Sequence, residues 1–398
     1  MKATLWERSQ NCIAQQCLTN SKHPKSHIRG ITPTHIVKSH GAYSWDENGK
    51  KYVDYICGLG TNILGQANET VNRAAYAAMQ GGVSHSLATQ YEVAAAEKLK
   101  ECLPFVDRVK WTKTGSDACT AALKIARNAT GRELVLSDGY HGFHTEFCDV
   151  YNKKLPSNTQ QLKSDMSNLS RDVAAVIIEP VILDWSESRQ SWLKTLMTEC
   201  RKRGILVIFD EVITNFRWPK FAVCNWMNVT PDLICGGKAI ANGFPLAYVA
   251  GKKELMDDPG YFVSSTYAGD TVSLAAADAV MTLLLSKKFD LERLWSAGQE
   301  FMESVNELAS GVIQLQGYPT RGVVKGSSDL NLALFLQECA KAQLLFGKSW
   351  NFSFCHMSAE VADQTYGGLR GIFQKIRDGR ASLEGPMPES PLAARVRG

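Results

Sequence analysis

Short apolar runs recur through the middle of the chain and predict buried strands. Helical or turn sequence separates each run from the next, and the runs lie at residues 108–112, 134–137, 174–178, 206–209, 233–235 and 246–250. Strands that alternate with helices in this way indicate an α/β fold around a mainly parallel sheet. In such sheets the functional residues gather at the carboxyl ends of the strands.

The two ends of the chain have other patterns. Residues 41–55 form two alternating segments around the turn Asp46-Glu47-Asn48-Gly49 and predict a β-hairpin. Helical spacing follows at residues 69–79, 90–103, 272–285, 291–308, 330–345 and 359–376, with short strands expected near Ile313 and Phe352. No internal repeat is visible.

These patterns predict a division into domains. We expect an N-terminal segment (1–55) that joins a small C-terminal domain (286–377), a large central domain (56–285) and a flexible tail (378–398). The tail prediction depends on the three prolines and three glycines of that stretch.

Composition narrows the class of protein. Of the 398 residues 44% are hydrophobic and 21% are charged, as in ordinary globular proteins, and 44 basic residues against 40 acidic ones leave no excess that favours nucleic acid. The eleven cysteines form no Cys-x-x-Cys pair, so we expect reduced thiols and no metal site. Without an apolar leader or a membrane-length apolar run, the chain is expected to be cytoplasmic.

An acid pair follows one of the predicted strands. The run Ile205-Leu-Val-Ile-Phe ends in Asp210 and Glu211. By themselves these acids indicate only a solvated turn at the end of a strand. The next strand changes that interpretation, because it ends in Gly236-Gly237-Lys238. Glycines let the backbone approach a ligand closely, and a partly desolvated lysine can have the lowered pKa that Schiff-base chemistry requires.

Three further segments could complete a binding site. Thr114-Gly115-Ser116 lies between a strand and a helix, where backbone amides and a hydroxyl can hold a phosphate, although a simple helix cap fits equally well. Tyr140-His141-Gly142 can supply an aromatic face, and Ser265-Thr266-Tyr267 is a loop with hydroxyl groups before a helix. Each alone has an ordinary structural explanation, but their order and spacing together favour a cofactor site.

In that order the motifs resemble the class III, fold type I enzymes that depend on pyridoxal 5'-phosphate, and most closely their glutamate-1-semialdehyde 2,1-aminomutase branch. The similarity covers about residues 29–376, and its most specific blocks are LVIFDEVITNFR and TPDLICGGKAIANGFPLA. It implies a large domain around a mainly parallel seven-stranded sheet and a smaller α+β domain built from the chain ends.

The resemblance also implies roles for individual residues. Lys238 would hold the cofactor as a Schiff base and move protons, and Asp210 would pair with the pyridine nitrogen, which makes the ring an electron sink. Val212 and Tyr140 would pack on the two ring faces. The phosphate would contact Gly115 and Ser116, and Thr266 would reach it from the neighbouring subunit of a homodimer. His141 and Glu179 would lie around the cofactor, and Arg29 would bind a substrate carboxylate.

The sequence departs from the aminomutase pattern in places that affect the reaction. The stretch after Glu179-Pro180 has no glycine-rich insert, and Leu59 stands where those enzymes have a tryptophan. A mutase must retain its intermediate, whereas a transaminase releases one product before it admits a second substrate. We therefore expect an aminotransferase that acts on a small amino donor and a carbonyl acceptor. Aminomutase, decarboxylase or racemase activity, and a non-catalytic cofactor-binding protein, are the alternatives.

Overall fold

The computed structural model describes residues 3–147 and 158–389 of the chain. Its helices are α1 (Leu5–Cys12), α2 (Cys57–Gly60), α3 (Glu69–Gln80), α4 (Gln90–Cys102), α5 (Gly115–Thr130), α6 (Glu187–Arg203), α7 (Val223–Met227), α8 (Lys253–Met256), α9 (Thr271–Leu285), α10 (Leu291–Leu308), α11 (Asp329–Lys341) and α12 (Ala359–Arg377). Its strands are β1 (Ile36–His40), β2 (Tyr43–Asp46), β3 (Lys51–Asp54), β4 (Arg108–Thr112), β5 (Leu134–Asp138), β6 (Thr159–Gln161), β7 (Val173–Ile178), β8 (Leu206–Asp210), β9 (Leu233–Gly236), β10 (Ala247–Gly251), β11 (Ile313–Tyr318), β12 (Arg321–Gly326), β13 (Leu344–Leu345) and β14 (Ser349–Asn351).

Contacts divide the chain into two compact units. The first comprises residues 1–59, 64–67 and 296–398, and the second comprises residues 60–63 and 68–295. Among the residues that the structure describes, no helix is both long and apolar enough to cross a membrane.

The second unit is built on a seven-stranded sheet with the order β4-β10-β9-β8-β7-β5-β6. Strands β5 to β9 pair in parallel, whereas β10 runs antiparallel to both of its neighbours. Fully buried residues of α5, such as Ala122 and Ile125, pack in one core with Ile177 and Ile208 of the sheet. The α/β fold class expected from the sequence is confirmed.

Because β10 is reversed, its amino end lies at the sheet edge where the parallel strands have their carboxyl ends. The loop that leads into β10 therefore lies beside the residues that follow β8 and β9. This edge carries the candidate site.

The first unit contains helices and two small sheets: β11-β12-β14 is antiparallel, whereas β1-β2-β3-β13 is mixed, because β13 pairs with β3 in parallel. The predicted hairpin is formed by β2 and β3, which pair with Tyr43 opposite Val53. The helix predicted over residues 330–345 ends at Lys341, because Gln343 has a left-handed φ of 62° and Leu344 pairs with Val53 as the start of β13.

Part of the predicted tail is bonded to the first unit. The backbone N–H of Glu384 donates to Oε1 of Gln337 at 2.8 Å, and the N–H of Glu389 donates to the carbonyl of Lys25 at 2.8 Å. Residues 382–389 thus run along this unit. The remainder of the tail prediction, residues 390–398, lies outside the described residues.

Candidate active site

A cavity of about 280 Å³ opens in the second unit at the carboxyl edge of the sheet. It brings together eight of the ten site residues predicted from the sequence: Gly115, Ser116, Tyr140, His141, Glu179, Asp210, Val212 and Lys238. This volume is near the lower end of the range for small-molecule sites. The other two lie elsewhere, because Thr266 is exposed in a loop of the second unit and Arg29 is exposed in the first unit.

Neighbouring strands place the two most specific residues. Asp210 is the last residue of β8 and pairs in register with Cys235 of β9, so Lys238 follows three residues beyond the adjacent strand position. Lys238 is half-buried and has a left-handed φ of 42°. A non-glycine residue in this region is strained by roughly 1–3 kcal/mol, which the surrounding structure must offset. Because such strain is concentrated at functional sites, the conformation of Lys238 supports its assignment as a candidate functional residue.

Asp210 is buried, and two hydrogen bonds occupy one of its carboxylate oxygens. Its Oδ2 accepts hydrogen bonds from Nδ1 of His141 at 2.8 Å and from Sγ of Cys119 at 3.4 Å, and its Oδ1 accepts from the backbone N–H of Val212 at 3.0 Å. His141 must therefore carry its proton on Nδ1. Nε2 of His141 is buried and has no partner among the described residues.

These side chains are also of types that bind metals. The ligand atoms of Cys119, His141 and Asp210 lie within 4.8 Å of one another. Hydrogen bonds join the same three side chains, since His141 and Cys119 both donate to Asp210.

The turn before α5 combines a helix cap with close packing. Thr114 caps α5, since its Oγ1 accepts from the N–H of Asp117 at 3.2 Å while Asp117 accepts from the N–H of Thr114 at 2.9 Å. A Cβ atom on Gly115 would come within 2.7 Å of Cγ1 of Val212, so this position needs glycine. The helix cap considered from the sequence is therefore present, and the same turn lines the cavity, while its contact with a phosphate stays a prediction.

Glu179 orders the segment that carries Tyr140. It follows β7, and its Oε1 accepts a hydrogen bond from the backbone N–H of Tyr140 at 2.8 Å. The Tyr140 side chain lines the cavity but remains 60% exposed. One wall of the cavity is thus open to solvent in the single chain.

Several cavity residues were not predicted from the sequence: Thr61, Lys113, Cys119, Ile213, Phe244, Pro245 and Leu246 among them. Lys113 precedes the α5 turn, where its Nζ donates to the carbonyl of Pro245 at 3.0 Å and forms an ion pair with Asp270. Cys119 could have been found, because it lies four residues after Gly115 and so on the same helix face. The loop before β10 could not, since it depends on the reversal of that strand.

Comparison with known proteins identifies the class. The family model of the class-III aminotransferases matches residues 26–148 and 143–327. A glutamate-1-semialdehyde 2,1-aminomutase from Syntrophobacter fumaroxidans (strain DSM 10017 / MPOB) is 30% identical over 312 residues, which cover 70% of this chain and 72% of that protein. The chain belongs to the class-III aminotransferase family and is a pyridoxal-phosphate-dependent enzyme, as expected from the sequence.

Solved structures show the same fold. The PLP internal aldimine form of the FumI protein from Sphingopyxis sp. MTA144 matches with a TM-score of 0.86 and 22% identity, over 96% of this chain and 98% of that chain. A β-phenylalanine aminotransferase from Variovorax paradoxus matches with a TM-score of 0.79 and 20% identity, over 96% and 95% of the two chains. At these identities the likeness concerns the fold.

The residues of the cavity fit the cofactor of this family. A carboxylate has about four lone-pair positions, and three donors from the described residues occupy those of Asp210, which leaves about one for a ligand N–H. The amino end of α5 suits an anion, and Gly115 leaves no side chain in its way. Lys113 and Lys238 each bring an amine to the lining.

Proposed function

We propose that the chain is an aminotransferase that moves an amino group from a small amino donor to a small carbonyl compound, with the cofactor attached to Lys238. The observation that carries this proposal is the placement of Asp210 and Lys238 at adjacent strand ends, in one cavity with the α5 turn. Bound pyridoxal phosphate supplies an electron-accepting ring that stabilises negative charge at the carbon bearing the amino group.

In this proposal each residue has a separate task. The Lys238 amine holds the cofactor covalently and moves a proton on and off the substrate carbon. The remaining acceptor position of Asp210 receives the ring N–H, and His141 fixes the carboxylate in place. Gly115 and Ser116 bind the phosphate, while Val212 and Tyr140 cover the ring. Glu179 positions Tyr140 through its backbone N–H, and Arg29 is proposed for a substrate carboxylate.

The connection after β7 favours transamination over the mutase reaction. Residues 179–186 lead directly from β7 to α6, with no inserted segment that could cover the cavity. An enzyme that must release a first product benefits from such an open connection, whereas a mutase must retain its intermediate. The aminomutase reaction is the second candidate, because the relative from S. fumaroxidans carries that name.

We propose further that the active form is a homodimer. Large apolar side chains of the second unit are exposed: Leu87 by 84%, Phe262 by 79%, Phe143 by 70%, Tyr267 by 64% and Tyr140 by 60%. Exposed apolar side chains that lie together mark an interface, and Phe262 and Tyr267 lie in one loop. Thr266 lies between Phe262 and Tyr267 in sequence, so a second copy that covers them would bring Thr266 to its partner.

Attachment of the cofactor is tested by chemical trapping. The purified chain is loaded with pyridoxal phosphate and reduced with borohydride, and the modified lysine is located by peptide mass spectrometry. We expect label on Lys238 and none on Lys113, the second lysine that lines the cavity among the described residues. Lys238→Ala should retain its fold but lose label and turnover. Label on Lys113, or full turnover by Lys238→Ala, would refute the assignment.

Donor and acceptor experiments separate the two candidate reactions. With an amino donor alone, a transaminase stops after one turnover per site and resumes when a carbonyl acceptor is added. A mutase continues on a single amino-carbonyl substrate without an acceptor. Sustained turnover of glutamate-1-semialdehyde alone would replace our proposal with the mutase reaction.

A further inference from the structure

Cys119 is a cavity residue with no role in the function proposed above. It lies in the first turns of α5, is 1% exposed and contributes to the lining of the cavity. Its Sγ is 3.4 Å from Oδ2 of Asp210, within the longer range of hydrogen bonds that involve sulfur. Asp210 thus receives a thiol in addition to His141 and the Val212 amide.

The thiol is a donor in this contact. Burial, the neighbouring Cys235 thiol and the charge of Asp210 together raise the pKa of Cys119 well above its ordinary value, so it keeps its proton. The single S–H could point to Cys235 or to Asp210. A carboxylate is much the stronger acceptor, since hydrogen bonds to an ionised group are about twice as strong as those between neutral groups. The S–H therefore points to Asp210.

Each such donor lowers the affinity of the carboxylate for a proton. Hydrogen bonds to the charged form of an acid favour that form. When Asp210 faces a ring nitrogen, the two groups share one proton, and the weaker base gives it up. A carboxylate with three donors is a weaker base than one with two, so the proton stays on the ring side.

We propose that Cys119 is a positioning residue that acts through Asp210 and keeps the shared proton on the ring nitrogen of the bound cofactor. The inference rests on the proposed role of Asp210. It assigns the thiol a task in the electron-sink chemistry rather than in packing alone. Both side chains donate to Oδ2 of Asp210. His141, from the segment after β5, is the stronger donor, and Cys119, from α5, is the weaker one.

The test compares variants of residue 119 that lack a hydrogen-bond donor with one that keeps a donor at the same position. Cys119→Val removes the S–H and keeps a side chain of similar size, Cys119→Ala removes it with a smaller side chain, and Cys119→Ser restores a donor. Cys200→Val is the matched control, because Cys200 is a fully buried thiol of α6 that does not line the cavity. All holoenzymes are loaded with pyridoxal phosphate carrying ¹⁵N in the ring, and the ring nitrogen shift is followed by NMR against pH.

In Cys119→Val and Cys119→Ala we expect the ring nitrogen shift to move toward its unprotonated value across the pH range, because a more basic carboxylate takes more of the shared proton, and kcat to fall about three- to tenfold with little change in KM. Cys119→Ser and Cys200→Val should follow the wild type in both measurements. If one cavity variant fails to fold, the other decides.

Other outcomes overturn the inference in distinguishable ways. A ring nitrogen that titrates identically in wild type, Cys119→Val and Cys119→Ala refutes the role of Cys119 and leaves that of Asp210 intact. A serine variant that behaves like the valine variant refutes the donor explanation in favour of packing. A wild-type enzyme whose ring nitrogen is unprotonated throughout refutes the proposed role of Asp210 itself.

Discussion

Nδ1 of His141 lies 2.8 Å from Oδ2 of Asp210, and both side chains are almost completely buried. This contact joins the segment after β5 to the end of β8, two strands separated in the sheet by β7. A charge-assisted hydrogen bond in such a setting contributes about 1.5–3 kcal/mol. Of the three hydrogen bonds that described residues donate to Asp210, it is the shortest.

Removal of this donor should slow the reaction. We expect His141→Leu to lower kcat by roughly 10- to 100-fold, because Asp210 loses the hydrogen bond that fixes the orientation of its carboxylate. The control is His144→Leu, since His144 is on the same segment but contacts Thr120 at 3.0 Å instead. Steady-state kinetics of the two holoenzymes provide the measurement. Equal rates would show that His141 has no part in orienting Asp210.

Asp210→Asn removes the charge and keeps the shape. An amide cannot hold a proton on a ring nitrogen as a carboxylate does, so kcat should fall by at least roughly 10²-fold while cofactor occupancy falls less. Asp232→Asn is the control, because that half-buried acid accepts from the N–H of Val207 at 2.7 Å and does not line the cavity. A wild-type kcat in Asp210→Asn would show that Asp210 is not the residue that keeps the ring nitrogen protonated.

Much of the fold could be predicted because its signal is local. The run at residues 206–209 becomes β8, and the helical spacing at 69–79 becomes α3, capped by Asn68 through a hydrogen bond to the N–H of Val71 at 3.3 Å. Strand β6 could not be predicted, since Thr159–Gln161 is polar and becomes a strand only by pairing with β5 at the edge of the sheet. Edge strands need no apolar run.

The candidate site likewise contains residues with a local sequence signal and residues placed only by long-range contacts. Asp210 and Lys238 were predictable because each directly follows an apolar run, and the sheet brings such ends together. Lys113 and the loop before β10 became cavity residues only through long-range placement. The sequence also did not predict the left-handed conformation of two residues outside the cavity lining, Gly58 (φ 61°) and Leu59 (φ 65°). Leucine rarely adopts that conformation, and no sequence pattern indicates it.

The shared-site proposal predicts complementation between inactive variants. Lys238→Ala lacks the amine, and Thr266→Ala should bind cofactor roughly 10- to 100-fold more weakly if its hydroxyl contacts a phosphate across the interface. Mixed dimers of the two variants should regain one intact site, measured as activity after co-refolding. Ser265→Ala, in the same exposed loop, should bind cofactor normally. Hybrids that form without activity, or an active monomer in sedimentation, would contradict the proposal.

Glu211 predicts a dependence of stability on pH. It is fully buried, and it accepts hydrogen bonds from the N–H groups of Val223 at 2.8 Å and Cys224 at 2.9 Å, but burial still raises its pKa above the ordinary 4.5. Above pH 4.5 the folded chain therefore binds more protons than the unfolded chain until the raised folded pKa is passed. Between pH 4.5 and the raised pKa of Glu211, the free energy of unfolding therefore falls as the pH rises.

Urea unfolding of wild type and Glu211→Gln from about pH 4 to about pH 8 checks this sign. The stability of the wild type relative to the variant should fall as the pH rises. Glu199→Gln is the control, because neighbouring Lys202 and Arg203 lower the pKa of the half-buried Glu199 to about 2. The difference in stability between wild type and Glu199→Gln should therefore not change with pH above about pH 5. A rise with pH for Glu211 would mean that its hydrogen bonds outweigh its burial.

The reversal of β10 has a consequence for how such enzymes diversify. Because β10 turns back at once, Lys238 and four further residues of the cavity lining, Gly243, Phe244, Pro245 and Leu246, are encoded within one stretch, residues 238–246. The proposed attachment lysine and this part of the lining are therefore inherited together in one short segment. Recombination within this segment would exchange the lining residues while the strands on either side keep their pairing. Under the proposed function, a new substrate preference can then arise on the same fold.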